Sequence, residues 1–206
     1  MNNFDFATDH ILENENVLLR PLQMQDYDLL LEYALNEPGT WQYSLISAAG
    51  ADNLKAYIQS ALRARDDKKE YPFIVYDKVK QKHVGSTRFY DIQLNNQTLQ
   101  LGYTWYAAAA QGTGLNRQCK YLMLEFAFEK MEMLRVEFRA DNKNTRSINA
   151  MKSIGCTIEG VLRSNCASAG GQRRDSIVLS ILSHEWQGTV KEMLKNKISN
   201  DSRPVK

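Results

Sequence analysis

The residues best suited to chemistry lie in one run, Tyr106-Ala-Ala-Ala-Ala-Gln111-Gly112-Thr113-Gly114-Leu115. Two glycines let the backbone approach a ligand closely, and a helix starting after them offers unpaired amides. Such a junction suits phosphate or pyrophosphate. A GxG turn also serves as a plain structural link, so the run alone leaves both readings open. It lacks the Gly-rich spacing and lysine of a Walker A loop, which argues against nucleoside triphosphate chemistry. A dinucleotide fold would set GxGxxG behind an early strand, whereas here Leu-Asn-Arg follows Gly114 in mid-chain. Cys119, Cys156 and Cys166 are far apart, without CxxC spacing, which indicates a reducing compartment and no disulfide framework. Three dispersed histidines form no ligand cluster, so no metal site is expected.

The elements that must position this turn follow from periodicity. A strand at Val17–Arg20 is closed by Pro21, which lacks an amide proton and suits a sheet edge. Asp26 can cap a helix running to about Leu35, before Pro38-Gly39 turns the chain. Leu54, Ile58, Ala61 and Leu62 recur at helical spacing within residues 53–65, leaving Lys55, Arg63 and Arg65 for water. Three strands follow, at 72–76, 83–90 and 99–106, joined by polar turns. The period then changes from two to 3.6. Leu115, Cys119, Leu122, Met123 and Phe126 form an apolar stripe that can lie on a sheet, where Cys119 reads as a packed thiol. A short strand at 134–138, a helix from near Asn144 to Ile154-Gly155, and strands at 157–163 and 176–182 complete the pattern, with a helical tail from Glu185 to about Asn196. The order βββαβαββ implies a mixed sheet covered by helices.

The chain has 206 residues, enough for one well-packed core and too few for two full domains without strain. A net charge of +2 implies neither a nucleic-acid nor a membrane partner. No stretch approaches the roughly 20 apolar residues of a spanning helix, and the first ten residues do not read as a secretory signal. An RNA-binding sheet is disfavoured because basic residues are interleaved with acidic ones, without an accompanying aromatic motif.

Several motifs recur in a characteristic order: Leu19-Arg20-Pro21-Leu22, Val84-Gly85, Leu101-Gly102-Tyr103, Gln111-Gly112-Thr113-Gly114, Asn144-Thr145-Arg146-Ser147, Ile154-Gly155, Glu159-Gly160-Val161-Leu162-Arg163, Arg174-Asp175 and Glu185-Trp186. Together they resemble the GCN5-related N-acetyltransferase (GNAT) family over about Val17 to Trp186, especially the branch that includes ribosomal-protein alanine acetyltransferases. The segment Gly112 to Asn116, followed by Lys120, is also similar to a bacterial subgroup of that family. The resemblance implies an α+β fold, a mixed and mostly antiparallel twisted sheet flanked by helices, with a splayed central strand pair. It implies one acetyltransferase domain over residues 1–206, with a short N-terminal extension and a C-terminal helical tail.

The resemblance further implies a cytoplasmic enzyme that transfers acetyl directly from acetyl-coenzyme A (acetyl-CoA) to a primary amine. The acceptor would be a peptide N-terminus or a small molecule such as an antibiotic, and a homodimer stays open. By the same resemblance, amides from Gln111 through Gly112, Thr113 and Gly114 to Leu115 hold the coenzyme A pyrophosphate, and pantetheine runs along the strand ending near Tyr106. An amide around Thr104 to Tyr106 would face the oxyanion. Asn144 would cap its helix or bond pantetheine, and Ser147 would point at the thiolate. Glu159 would handle the acceptor's ammonium, or else pair with Arg163 or Arg174; Trp41 and Tyr43 would form the acceptor wall. Arg174-Asp175 reads as a loop-ordering pair. Two departures stand out: Ala109 replaces the common Gln or Arg, and Gln100-Leu101 stands where an acidic residue is frequent. The second keeps a non-catalytic coenzyme A-binding module in view.

Overall fold

The computed structural model describes residues 4–201. Its middle layer is an eight-stranded sheet, counted over those residues, in the order β1-β2-β3-β4-β5-β6-β8-β7. Aromatic and β-branched runs build the antiparallel meander β3 (Tyr71–Asp77), β4 (Lys82–Gln93) and β5 (Thr98–Tyr106). Ahead of it stand β1 (Leu12–Glu13) and β2 (Val17–Pro21). The sheet edge expected at Val17 is displaced, because β1 pairs outside β2, Leu12 with Leu19 and Glu13 with Leu18. Pro21 is tolerated as the last residue of its strand, opposite Phe73. Asp26 is not a side-chain cap. It ends a 3-10 turn and binds Arg20 Nη2 at 2.6 Å and the Gln23 amide at 2.8 Å.

The sheet has a separate core on each face. On one, α1 (Tyr27–Asn36) and α2 (Ala51–Asp66) set Leu30, Ala34, Leu54 and Ile58 against Ile74 and Trp105. Arg65, expected in water, instead ties the N-terminal segment down, its Nε donating to the Phe6 carbonyl at 2.8 Å. On the other face lie α3 (Leu115–Glu125), α4 (Thr145–Ser153) and the tail. A π-helical turn, Phe126–Lys130, continues α3. The tail runs through α5 (Ser183–Glu185), a second π turn (Trp186–Val190) and α6 (Lys191–Asp201), five residues beyond the expected end. Trp186 is fully buried there, with Nε1 donating to Glu129 Oε1 at 2.8 Å.

β6 (Arg135–Asp141) enters the sheet between β5 and β8 (Arg173–Leu182), and β7 (Thr157–Ala167) closes the far edge as a long hairpin with β8. β5 and β6 form the parallel pair of the sheet. Their ladder joins Thr98 to Arg135, Leu99 to Val136 and Gln100 to Glu137, and then stops. Beyond it the strands part, leaving residues 101–106 and 138–141 on opposite walls of a gap.

On the unparted side, β4 and β5 approach very closely at Gly85, which stands opposite Tyr106. A Cβ built there would meet the Trp105 carbonyl oxygen at 2.1 Å. Gly85→Ala should therefore cost about 1–3 kcal/mol through overpacking. Urea unfolding should show a lower midpoint with an unchanged m value; an unmoved midpoint would mean that the two strands are not held this closely.

Candidate active site

The turn between β5 and α3 needs its glycines. Gly112 and Gly114 adopt φ of +74° and +84°, a region costly for other residues. The amides of Gly112, Thr113 and Gly114 make no backbone hydrogen bond among the described residues, and those at the start of α3 have no helical acceptor. The side chains brace the turn: Gln111 Nε2 donates to the Tyr106 carbonyl at 2.9 Å and Thr113 Oγ1 to the Ala110 carbonyl at 2.8 Å. A Cβ on Gly112 would meet nothing within 4 Å, so that face of the turn is open. These unpaired donors fit a phosphate group. Ala109 supplies no side-chain donor, but Arg146 Nη1 reaches Gln111 Oε1 at 2.5 Å, and Lys80 Nζ reaches the Ala109 carbonyl at 2.5 Å. Positive charge therefore arrives at the turn from α4 and from the β3–β4 hairpin.

From this turn a cavity of about 490 Å³ runs into the gap between β5 and β6. On its β5 wall, Ser86 pairs with Trp105 and Arg88 with Gly102, so Tyr103 and Thr104 together oppose the single residue Thr87. Tyr103 sits at φ +48°, strained for a residue with a side chain. Arg88 supports it: the buried guanidinium lies 4.2 Å from the Tyr103 ring centroid and 4.6 Å from that of Tyr57, and is paired to Glu70 Oε2 at 2.6 Å. Tyr57 Oη donates to the Tyr103 carbonyl at 3.2 Å. Such a bulge turns backbone groups out of the ladder towards the cavity.

Most of the residues singled out from the sequence meet here. Tyr106, Gln111, Gly112, Asn144 and Ser147 line the cavity, whereas Thr113, Gly114 and Leu115 shape the turn without lining it. Asn144 caps α4 through Oδ1, which accepts from the Ser147 amide at 3.1 Å. Trp41 and Tyr43 form the other end, Trp41 packing 5.0 Å from Trp105 between ring centroids. Tyr106 turns its buried hydroxyl to the Cys119 side, with no well-formed hydrogen bond.

Glu159 is not brought in. It stands on β7, beyond β8, at a bulge between Ile158 and Gly160, and it is absent from the cavity lining. Its Oε1 accepts from Arg135 Nη1 at 2.6 Å and from Ser180 Oγ at 2.5 Å, and these bonds hold its pKa below the usual carboxylate value. Neither expected partner, Arg163 nor Arg174, is the one it takes. Arg174 is itself a wall residue, buried, donating from Nη1 to the Tyr43 carbonyl at 3.1 Å and from Nε to Ser176 Oγ at 3.2 Å. Asp175 braces the irregularity in β7 and not a loop, accepting from the Ser164 amide at 2.7 Å.

Three cations were not legible as site residues: Lys120 on α3, Arg139 on β6 and Arg146 on α4. Lys120 is 5% exposed and donates to Thr104 Oγ1 at 2.8 Å. Burial pulls its pKa down to about 7. The signal available in sequence was a lysine next to Cys119 on an apolar helical face. Against Lys120, Arg139, Arg146 and Arg174, the described lining holds one carboxylate, Asp141.

Comparison with known proteins agrees with this geometry. The acetyltransferase (GNAT) domain model matches residues 16–157. The N-acetyltransferase p20 of Bacillus licheniformis, itself uncharacterised, is 23% identical over 177 residues, covering 86% of this chain and 98% of the relative. YdaF of Bacillus subtilis, provisionally named a ribosomal N-acetyltransferase, is 25% identical over 180 residues, 85% of this chain and 96% of its own. The crystal structure of an acetyltransferase assigned in T. thermophilus superposes with a TM-score of 0.82 at 27% identity, over 93% of this chain and 98% of that one. RimJ of Mycobacterium smegmatis, in complex with CoA-disulfide, shares the fold at a TM-score of 0.77 and 17% identity, over 92% and 93% of the two chains. The chain belongs to the GNAT family and is an N-acetyltransferase that uses acetyl-CoA as cosubstrate.

Proposed function

We propose that this enzyme acetylates α-amines, the N-termini of proteins or peptides, in the cytoplasm. The observation that carries the reading is the charge of the cleft: four cations and one carboxylate line it among the described residues. Polyamines and aminoglycosides bring several positive charges and would meet repulsion there. A peptide terminus brings one charge and a row of carbonyl acceptors. The one carboxylate, Asp141, already accepts from the Lys143 amide at 2.8 Å, next to the Asn144 cap. The described lining therefore holds no carboxylate free of a backbone hydrogen bond to serve as base. An α-amine needs one least: with a pKa near 7.8 roughly one molecule in seven is neutral at pH 7, against about one in 2,500 for a lysine side chain. The provisional ribosomal name of the YdaF relative points the same way.

In this reading the amides from Gln111 to Leu115, backed by Arg146, hold the pyrophosphate. Asn144 and the strand leading to Tyr106 line the pantetheine path. The bulged backbone at Tyr103 and Thr104 faces the acetyl carbonyl, and Ser147 donates towards sulfur. Bound acetyl-CoA supplies the activated acetyl group; the chain orients it and excludes water. Trp41 and Tyr43 flank the acceptor.

Acetyl-CoA should raise the melting temperature of the wild type, and Gly112→Asp should abolish most of that rise through backbone strain and anion repulsion. Equal protection of both proteins would remove the turn from the binding site. Ser147→Ala should lower kcat by about tenfold while acetyl-CoA affinity stays within about twofold; an unchanged kcat would return Ser147 to capping geometry alone. For the acceptor, acetyl-CoA consumption is measured over matched N-terminal peptides, polyamines and aminoglycosides, with mass localisation of the product. Acetyl on the peptide α-amine is expected, and product confined to polyamines, aminoglycosides or lysine side chains would reject the proposal.

A further inference from the structure

Lys120 is a buried cation without a counter-ion. Each group packed around it is neutral. Thr104 on β5 accepts its one hydrogen bond, and Thr104 Oγ1 in turn lies 2.7 Å from Thr87 Oγ1. The Phe138 ring of β6 has its centroid 5.9 Å from Nζ. The titratable groups facing it are the thiols of Cys119, on α3, and Cys156, just after α4, both pushed up to about 12 by burial and so uncharged at neutral pH. Arg139, Asp141, Arg146 and Arg174 line the same cavity, yet none is ion-paired to it. An ammonium has three donors, and only Thr104 takes one among the described residues. Burying it so incompletely is costly unless a ligand completes its shell.

Two further facts decide what that ligand is. Lys120 itself lines the cavity, at the place where β5 has left β6. It also rides on α3, the helix whose start carries the unpaired amides, on the face of the sheet opposite Trp41 and α2. The acceptor enters past Trp41, so the lysine stands on the leaving-group side.

We infer that Lys120 is a catalytic acid of acetyl transfer, its ammonium giving a proton to the sulfur that leaves the acetyl carbonyl. The inference rests on the placement of acetyl-CoA proposed above. Lys120 Nζ gives up one proton, and the sulfur keeps the pair of the broken C–S bond and binds that proton. The carbonyl carbon gains the amine nitrogen, and the surplus proton of the amine leaves to water, from which Lys120 is recharged. A group that titrates close to the working pH is well matched to this work. Ser147 can only donate a hydrogen bond to the same atom.

The substitution Lys120→Met keeps volume and removes the charge. The lysine pKa in the folded chain lies below its unfolded value, so between about 7 and 10.5 the unfolded state binds the extra proton and stability rises with pH. Lys120→Met should thus melt higher than wild type at pH 6.5, with the gap narrowing by pH 9 and closing near pH 10.5, which also confirms folding. Calorimetry with acetyl-CoA and with free CoA then reads the site without any acceptor. Acetyl-CoA affinity should change less than about twofold, whereas CoA, which the ammonium pairs as thiolate, should bind about tenfold more weakly to the variant. With the best acceptor, kcat should fall about 100-fold and the decline of wild-type activity above pH 7 should vanish. Thr104→Val, which removes the acceptor of the ammonium hydrogen bond, should move that decline to lower pH. An unchanged ratio of CoA to acetyl-CoA affinity in Lys120→Met, or a kcat within about threefold of wild type with the decline retained, overturns the role. A panel without an acetylated α-amine overturns the acceptor proposal instead, and the two affinities still decide Lys120.

Discussion

Three consecutive pairs join β5 to β6, and past Gln100 and Glu137 the two strands carry no further ladder. Backbone groups left out of a sheet must find other partners, which in a cleft means water or a ligand. The parting is kept open from both sides. β6 is held by β8 along its whole length, from Arg135 opposite Leu182 to Asp141 opposite Ser176. β5 is held by β4, with Gly85 tight against Trp105 and Arg88 clamped between Tyr57 and Tyr103. Neither strand can move to close the gap without breaking its outer ladder.

That one opening gives the sheet two unlike mouths. The α3–α4 face offers free amides, Arg146 and Lys120, and favours an anionic chain with a sulfur at its end. The α1–α2 face offers Trp41, Tyr43, Tyr57 and the edge of Trp105, an aromatic approach with the Arg174 guanidinium bonded to the Tyr43 carbonyl beside it. Between the two mouths Tyr103 is strained, and strain of this kind persists only where packing over-determines it. The Arg88–Glu70 pair and two aromatic faces supply that packing.

Much of this was legible in the chain. Strand and helix order followed from the change of period after Tyr106, and the left-handed turn followed from two glycines ahead of an apolar helical stripe. What failed to show has physical reasons. The β6 strand was expected to end at Phe138 but runs on to Asp141; Arg139 and Asp141 are polar strand residues that face a cleft instead of a core. Glu159 matched a motif by position, but a bulge and the Arg135 partner across the sheet decide where its carboxylate goes. Lys120 was hidden by the ordinary assumption that a lysine seeks water, and its neighbours Cys119 and Leu122 were read as the apolar stripe without it. Arg174 was misjudged because its acceptor, the Tyr43 carbonyl, lies 131 residues away in sequence.

The order of strands also bears on how the cleft comes into being. β3 to β5 pair through short turns, so this part of the sheet can organise from local contacts. β6 has three partners in β5 but seven in β8, the last strand to be made. During synthesis, then, the wall formed by β6 has no firm support until the chain has been extended past Leu182. A nascent chain stopped earlier would own the glycine turn and yet present only half a cleft, so the cleft itself is a late product that reports completion of the sheet.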